Sequence, residues 1–231
     1  MATVLLVRHG LTAQTGPVLS GWTPGISLDE RGAAQAAALA GRLRPVPVLA
    51  VVSSPLDRCR ETAQALVAGR GLDVAVDDRL GEARYGDWTG QELAKLAKNP
   101  LWRVVQAHPS AVTFPGPAGE ALADTQRRAV AAVRDWNERL GPNATWIAVS
   151  HGDVIKAVVA DALGLHLDLF QRISVDPGSL TAIRYTELRP FVLRLNDTGG
   201  AVDDLRPAKR GRRRASSDAP VGGGAGGAAA T

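Results

Sequence analysis

The sequence is short of several residue types, and each shortage excludes something. Cys59 is the only cysteine in 231 residues. It has no partner for an internal disulfide, and one Cys with four His lacks the spacing of a zinc cluster. Leu56, Cys59, Ala63 and Leu66 share one helical face, so the thiol is expected in the core rather than as a reactive group between Arg58 and Arg60. No run of 18 apolar residues occurs, so neither a transmembrane helix nor a membrane partner is expected. Met1-Ala2-Thr3 leads straight into an apolar stretch with no room for a signal peptide, and a cytoplasmic location is the expectation. A broad basic surface is missing too. The net charge is +4, but Asp203 to Thr231 holds six basic residues (Arg206, Lys209, Arg210, Arg212, Arg213, Arg214) against Asp203, Asp204 and Asp218. The remainder is nearly neutral and offers no nucleic-acid groove. The basic end reads either as a solubilising tail or as a tether to nucleic acid or another acidic surface.

What is present is an ordinary globular composition, 45% hydrophobic and 22% charged. Apolar strands alternate with helices. Val4 to Val7, Val48 to Ser53, Leu72 to Val76 and Thr145 to Val149 read as strands. Ser27 to Glu30 reads as a capping box before a helix reaching Leu43. Ser54, Pro55 and Asp57 suit the N-cap, N1 and N3 positions of a helix reaching Val67. Thr89 to Glu92 reads as another capping box, before a helix over Gln91 to Ala107 interrupted at Pro100. Glu120 to Leu140 is a long amphipathic helix. Ser150 to Asp153 starts a helix that Gly164 stops. Ser179 to Glu187 and Phe191 to Asn196 read as an antiparallel hairpin at a sheet edge. From Thr198 onward Gly, Ala, Arg and Ser dominate, and a disordered tail, 198–231, is expected beside one catalytic domain, 1–197.

This pattern predicts an α/β fold: a three-layer α/β/α sandwich with a mostly parallel central sheet, an antiparallel edge strand and a small helical cap. Ligands bind beyond the carboxyl ends of such strands. Arg8-His9, Ser54 to Arg58, and His151 all fall there. An imidazole can attack phosphorus, and guanidinium groups can hold phosphate oxygens.

Four stretches resemble the motifs of the histidine phosphatase superfamily, also called the phosphoglycerate mutase-like family. They are Arg8-His9-Gly10, Ser53 to Arg58 continuing through Glu61-Thr62-Ala63, Glu82 six residues before Trp88-Thr89-Gly90, and Ser150-His151-Gly152. They occur in the family's order, and the likeness covers roughly Thr3 to Asn196. The resemblance implies a covalent phosphohistidine on His9. Arg8, Arg58, His151 and the backbone at Gly152 would bind the phosphoryl group. Glu82 would act as general acid and base. The first loop departs from the family's usual Asn: Thr15 stands six residues after His9, and a loop one residue shorter would place Gln14 there instead. Either would bind phosphate.

The expected activity is hydrolysis of a small phosphomonoester, with arginines in place of a metal and no cofactor. A phosphomutase of the phosphoglycerate mutase type is the alternative within enzymes. A catalytically idle phospho-ligand binder is the alternative outside them. The segment between Glu82 and His151 is short for a mutase, and Arg127-Arg128 falls on the long helix rather than in a loop, which favours the phosphatase. The expected partner is a small phosphorylated metabolite, its specificity set by the cap around Gln91 to Gly119; a homo-oligomer is left open. Trp22, Tyr85 and Trp88 either line the substrate side or belong to the core, and Arg84 either binds substrate or faces solvent.

Overall fold

The computed structural model describes residues 1–199 together with Val202 and Arg206. In chain order the elements are β1 (Ala2–Arg8), β2 (Val18–Leu19), α1 (Glu30–Leu43), β3 (Val51–Ser53), α2 (Asp57–Val67), β4 (Val74–Val76), β5 (Gln91–Glu92), α3 (Leu93–Leu96), α4 (Pro100–Ala107), α5 (Leu122–Leu140), β6 (Thr145–Ser150), α6 (Gly152–Leu163), β7 (Leu180–Tyr185) and β8 (Pro190–Asp197). Six strands form one sheet in the order β4-β3-β6-β1-β7-β8. β1, β3, β4 and β6 are parallel, and β7 and β8 run antiparallel at one side.

The central strands are apolar throughout because both faces are covered. Successive side chains of a strand point to opposite faces. Val4 and Leu6 of β1 join Trp146 and Ala148 of β6 in a core with α5 and α6. Leu5 and Val7 join Ile147 and Val149 in a second core with α1 and α2. Two cores, one on each face, make the three layers.

Several helix starts differ from the sequence reading. Asp29, not Ser27, caps α1, its carboxylate accepting from the Gly32 N–H. α2 begins after Leu56, so Ser54 is not its N-cap; the hydroxyl is engaged elsewhere, as described below. Ser150 ends β6 and donates to the Leu80 carbonyl, leaving His151 at the N-cap of α6. Gln91 and Glu92 form a strand, β5, paired with β2, in place of a first helical turn. α3 follows β5, and Asn99 and Pro100 open α4 afresh. At Ser54, Ser150 and Gln91-Glu92 a tertiary partner outcompeted the local cap, whereas at α1 and α4 another local residue, Asp29 or Asn99, took the role.

Arg8-His9-Gly10 is held against α1 by contact that only glycine permits. A Cβ on Gly10 would stand 2.4 Å from the Gly32 carbonyl oxygen. The Gly10 N–H donates to Thr62 Oγ1 (3.1 Å), which ties the loop to α2 as well. The expected disordered tail falls largely outside the described residues. Val202 is buried in the core beneath α1 with Leu39 and Leu43, so contact with the domain extends past residue 197. No described helix is long and apolar enough to cross a membrane.

Candidate active site

Register brings the site together. β1 and β6 pair in parallel with Arg8 opposite Ser150, so His9 and His151 leave the sheet side by side. β3 runs on the far side of β6 and delivers Ser54 and then α2, whose second residue is Arg58. Arg58 is buried between the two histidines. Its Nε donates to His9 Nε2 (3.2 Å), and its Nη2 lies 3.2 Å from His151 Nδ1 and donates to the Gly21 carbonyl (2.9 Å). The Arg8 Nη1 donates to the Val175 carbonyl (2.7 Å). Arg8 Nε and Arg58 Nη1 are buried without a hydrogen-bond partner.

His9 Nδ1 lies 2.8 Å from the Gly10 carbonyl. A carbonyl only accepts, so Nδ1 carries the proton and Nε2 keeps its lone pair. Burial first, then Arg58 and to a smaller degree Arg8, lower the His9 pKa from 6.5 to about 3, against the Gly10 bond that raises it. Burial thus outweighs repulsion by the two arginines. His151 is driven well below 6.5, again by burial and then by Arg58. Its Nε2 meets Ser54 Oγ at 2.8 Å, which is where the expected helix cap went. Cys59, fully buried as expected, lies behind the same ring with Sγ 3.4 Å from Nε2. Burial pushes the thiol up to about 12.

Glu82 reaches the same place from the loop after β4. Its Oε2 stands 3.8 Å from His151 Nδ1, and its side chain is 12% exposed. Oε1 accepts from the Ala83 N–H (3.0 Å). Burial and then the Asp153 carboxylate raise its pKa from 4.5 to about 7, opposed by Arg58, the Ala83 N–H and Arg8. The loop is fixed from below. Arg128 of α5 donates to the carbonyls of Arg79, Gly81 and Glu82 and pairs with Glu120 (2.9 Å), and Trp22 Nε1 also donates to the Glu82 carbonyl (2.6 Å).

Arg8, His9, Arg58, Glu82 and Gly152 line one cavity of about 640 Å³. Thr15 lines it too, with its hydroxyl bonded to Thr12. Gln14 does not: its amide oxygen accepts from Ser20, so of the two alternatives only Thr15 reaches the cavity. The expected cap contributes little, Leu93 alone. The far wall instead carries Lys156, Gln171 and the segment Ile173 to Pro177, none of which the sequence singled out. Nothing in a lone Lys or Gln marks it; only its place on α6 or beyond does. Tyr85 lines the cavity. Trp88 is core, and the exposed Arg84 stacks on Trp22 at 4.0 Å. A larger cavity, about 1080 Å³, lies between the ends of α1 and α2 and holds none of these groups. Among the described residues no cluster of three or more His, Cys, Asp or Glu is arranged to hold a metal.

Known proteins share this arrangement of sequence and fold. The model of the histidine phosphatase superfamily (branch 1) matches residues 4–198. The chain is 32% identical to phosphoserine phosphatase 1 of Hydrogenobacter thermophilus, over 86% of this chain and 93% of that one. Among solved structures it is similar to Bacillus stearothermophilus YhfR, with a TM-score of 0.78, 28% identity, and 85% and 98% of the two chains covered. The mycobacterial glucosyl-3-phosphoglycerate phosphatase Rv2419c, in complex with VO3, gives a TM-score of 0.74 at 28% identity, with 84% and 98% covered. The chain belongs to branch 1 of the histidine phosphatase superfamily.

Proposed function

We propose that this chain hydrolyses a small phosphomonoester through a phosphohistidine on His9. The observation that carries the reading is a neutral nucleophile set among unpaired cationic donors. His9 keeps a lone pair on Nε2, while the buried Arg8 Nε and Arg58 Nη1 have no acceptor. A buried charged donor left unpaired is costly, and phosphoryl oxygens are the acceptors that suit guanidinium groups.

In the first half-reaction His9 Nε2 bonds to phosphorus as the ester P–O bond breaks, and protonated Glu82 gives its proton to the leaving alkoxide. In the second, the Glu82 carboxylate takes a proton from water, the water oxygen bonds to phosphorus, and the P–N bond returns its electrons to Nε2. Arg8 and Arg58 compensate the charge spread over the equatorial oxygens. The N–H groups opening α6 add donors, while His151, engaged by Arg58 and Ser54 and outside the cavity lining, has no N–H free for phosphate and instead holds Arg58 in place. Thr15 is the loop residue placed to complete the set.

The phosphomutase alternative shares the first step. Arg127 and Arg128 are absent from the cavity lining: Arg127 pairs with Asp124 (2.6 Å) at the surface, and Arg128 braces the Glu82 loop. They are not placed to retain a phosphoglycerate, which favours hydrolysis.

The test is phosphate release from a panel of phosphorylated metabolites, with trapping of acid-labile phosphoenzyme. Phosphoserine and glucosyl-3-phosphoglycerate head the panel because similar proteins are named for them. Vanadate should compete with substrate. Binding without turnover across the panel would instead identify an idle phospho-ligand binder.

A further inference from the structure

The cavity that Glu82 lines carries a second carboxylate that the proposed chemistry does not use. Asp153 sits in the first turn of α6 and lines the cavity. It is fixed from two directions. Tyr85, fully sheltered on the same loop as Glu82, donates its hydroxyl to Asp153 Oδ2 (3.1 Å). Lys156, one helical turn on, places Nζ 3.5 Å from Oδ1 and donates to Gln171 Oε1 (3.2 Å). The Tyr85 bond joins the loop of the candidate acid to the helix that follows His151. Asp153 and Glu82 line the same cavity, together with Arg8, Arg58 and Lys156.

We propose that Asp153 is a positioning residue acting through Glu82: Tyr85, on the Glu82 loop, holds its carboxylate in the cavity that Glu82 shares. The inference rests on the phosphatase reading, in which Glu82 must hold a proton when the ester bond breaks. The sign follows from the groups facing Glu82. Arg8 from β1 and Arg58 from α2 favour the carboxylate, as does the Ala83 N–H. Neutral His151 adds no charge, and Arg128 from α5 binds the Glu82 carbonyl rather than its carboxyl. Asp153 is the charged group working in the opposite direction, alongside burial. Its removal takes away the acidic group that, alongside burial, opposes the two arginines. Lys156 moderates the effect by pairing with Asp153.

The experiment is a carbon-13 titration of the Glu82 side-chain carboxyl in the full chain, its signal identified by loss in Glu82→Gln. Asp153→Asn keeps an acceptor for Tyr85 and removes only the charge. It should lower the Glu82 midpoint by about one pH unit. Lys156→Met removes the pairing cation and should raise it. Tyr85→Phe keeps the charge and loses the tether, so it should lower kcat with a smaller change in midpoint than Asp153→Asn gives. On an alkyl phosphate, the alkaline fall of kcat/KM should follow the titration in each variant. An unchanged Glu82 midpoint in both Asp153→Asn and Lys156→Met would overturn the proposal. A wild type that releases no phosphate while the midpoints shift as stated would instead overturn the phosphatase reading and leave the Asp153 effect on Glu82 established.

Discussion

His9 and His151 stand edge to face, with ring centroids 5.2 Å apart. They are separated by 142 positions in sequence and adjacent because β1 and β6 are parallel neighbours in a fixed register. A slip of one residue would turn one of the two rings toward the other face of the sheet. Arg58 then fills the space between them, contacting Nε2 of one and Nδ1 of the other. The site is therefore as well defined as the sheet that carries it.

Replacing the nucleophile or the general acid should separate the two roles. His9→Ala is expected to abolish phosphoenzyme. Glu82→Gln should slow an alkyl phosphate by roughly 10²–10⁴-fold while an aryl phosphate, with its better leaving group, loses less in the phosphorylation step. Rapid-quench comparison of the two substrates checks this. Equal losses would take Glu82 out of the acid role.

The pH profile should be one-sided with respect to the enzyme. His9, at about 3, stays neutral across the working range and sets no acid limb there. Glu82 must hold a proton for an alkyl leaving group, so kcat/KM should fall as pH rises through about 7. The same profile measured in chelator should superimpose, since guanidinium groups supply the charge compensation. Loss of activity in EDTA restored by a divalent cation would contradict the scheme.

Glu82 should also show in stability. Folding raises its pKa from 4.5 to about 7, so between these values the folded state keeps a proton that the unfolded chain releases. The stabilisation is complete below 4.5 and is lost as pH rises through about 7. Glu82→Gln removes the group that must ionise in the core. It should leave Tm nearly unchanged near pH 4.5 and raise it at alkaline pH, by roughly 1–3 kcal/mol in stability. Thermal melts at the two pH values decide it.

Val202 extends the folded unit beyond the sequence boundary. It is 3% exposed against Leu39 and Leu43. Val202→Ala should cost about 1 kcal/mol of stability, consistent with loss of buried methyl groups. Turnover should be unchanged, because Val202 does not line the cavity. A variant as stable as wild type in urea melts would show that the contact contributes nothing.

Sequence alone made the strands of the main sheet legible and pointed to the residues at their ends. Continuous apolar runs specify strands buried on both faces, and Arg8-His9, Arg58 and His151 follow because such strands must end where ligands bind. Cys59 as a core thiol and Gly164 as a helix stop were equally legible, being matters of local periodicity and backbone conformation. Tertiary structure decided what local signals cannot encode. Ser54 has the chemistry of a helix cap, yet its hydroxyl goes to His151, delivered by a strand 97 residues away. Gln91 and Glu92 carry a capping pattern, yet pair with β2. The acidity of Glu82 depends on burial and on Asp153, which the sequence marks only as part of a helix start, and both arise only once α6 is packed against the loop. Propensity is a matter of tenths of a kilocalorie per residue; the tertiary hydrogen bonds and desolvation that override it are worth a kilocalorie or more each.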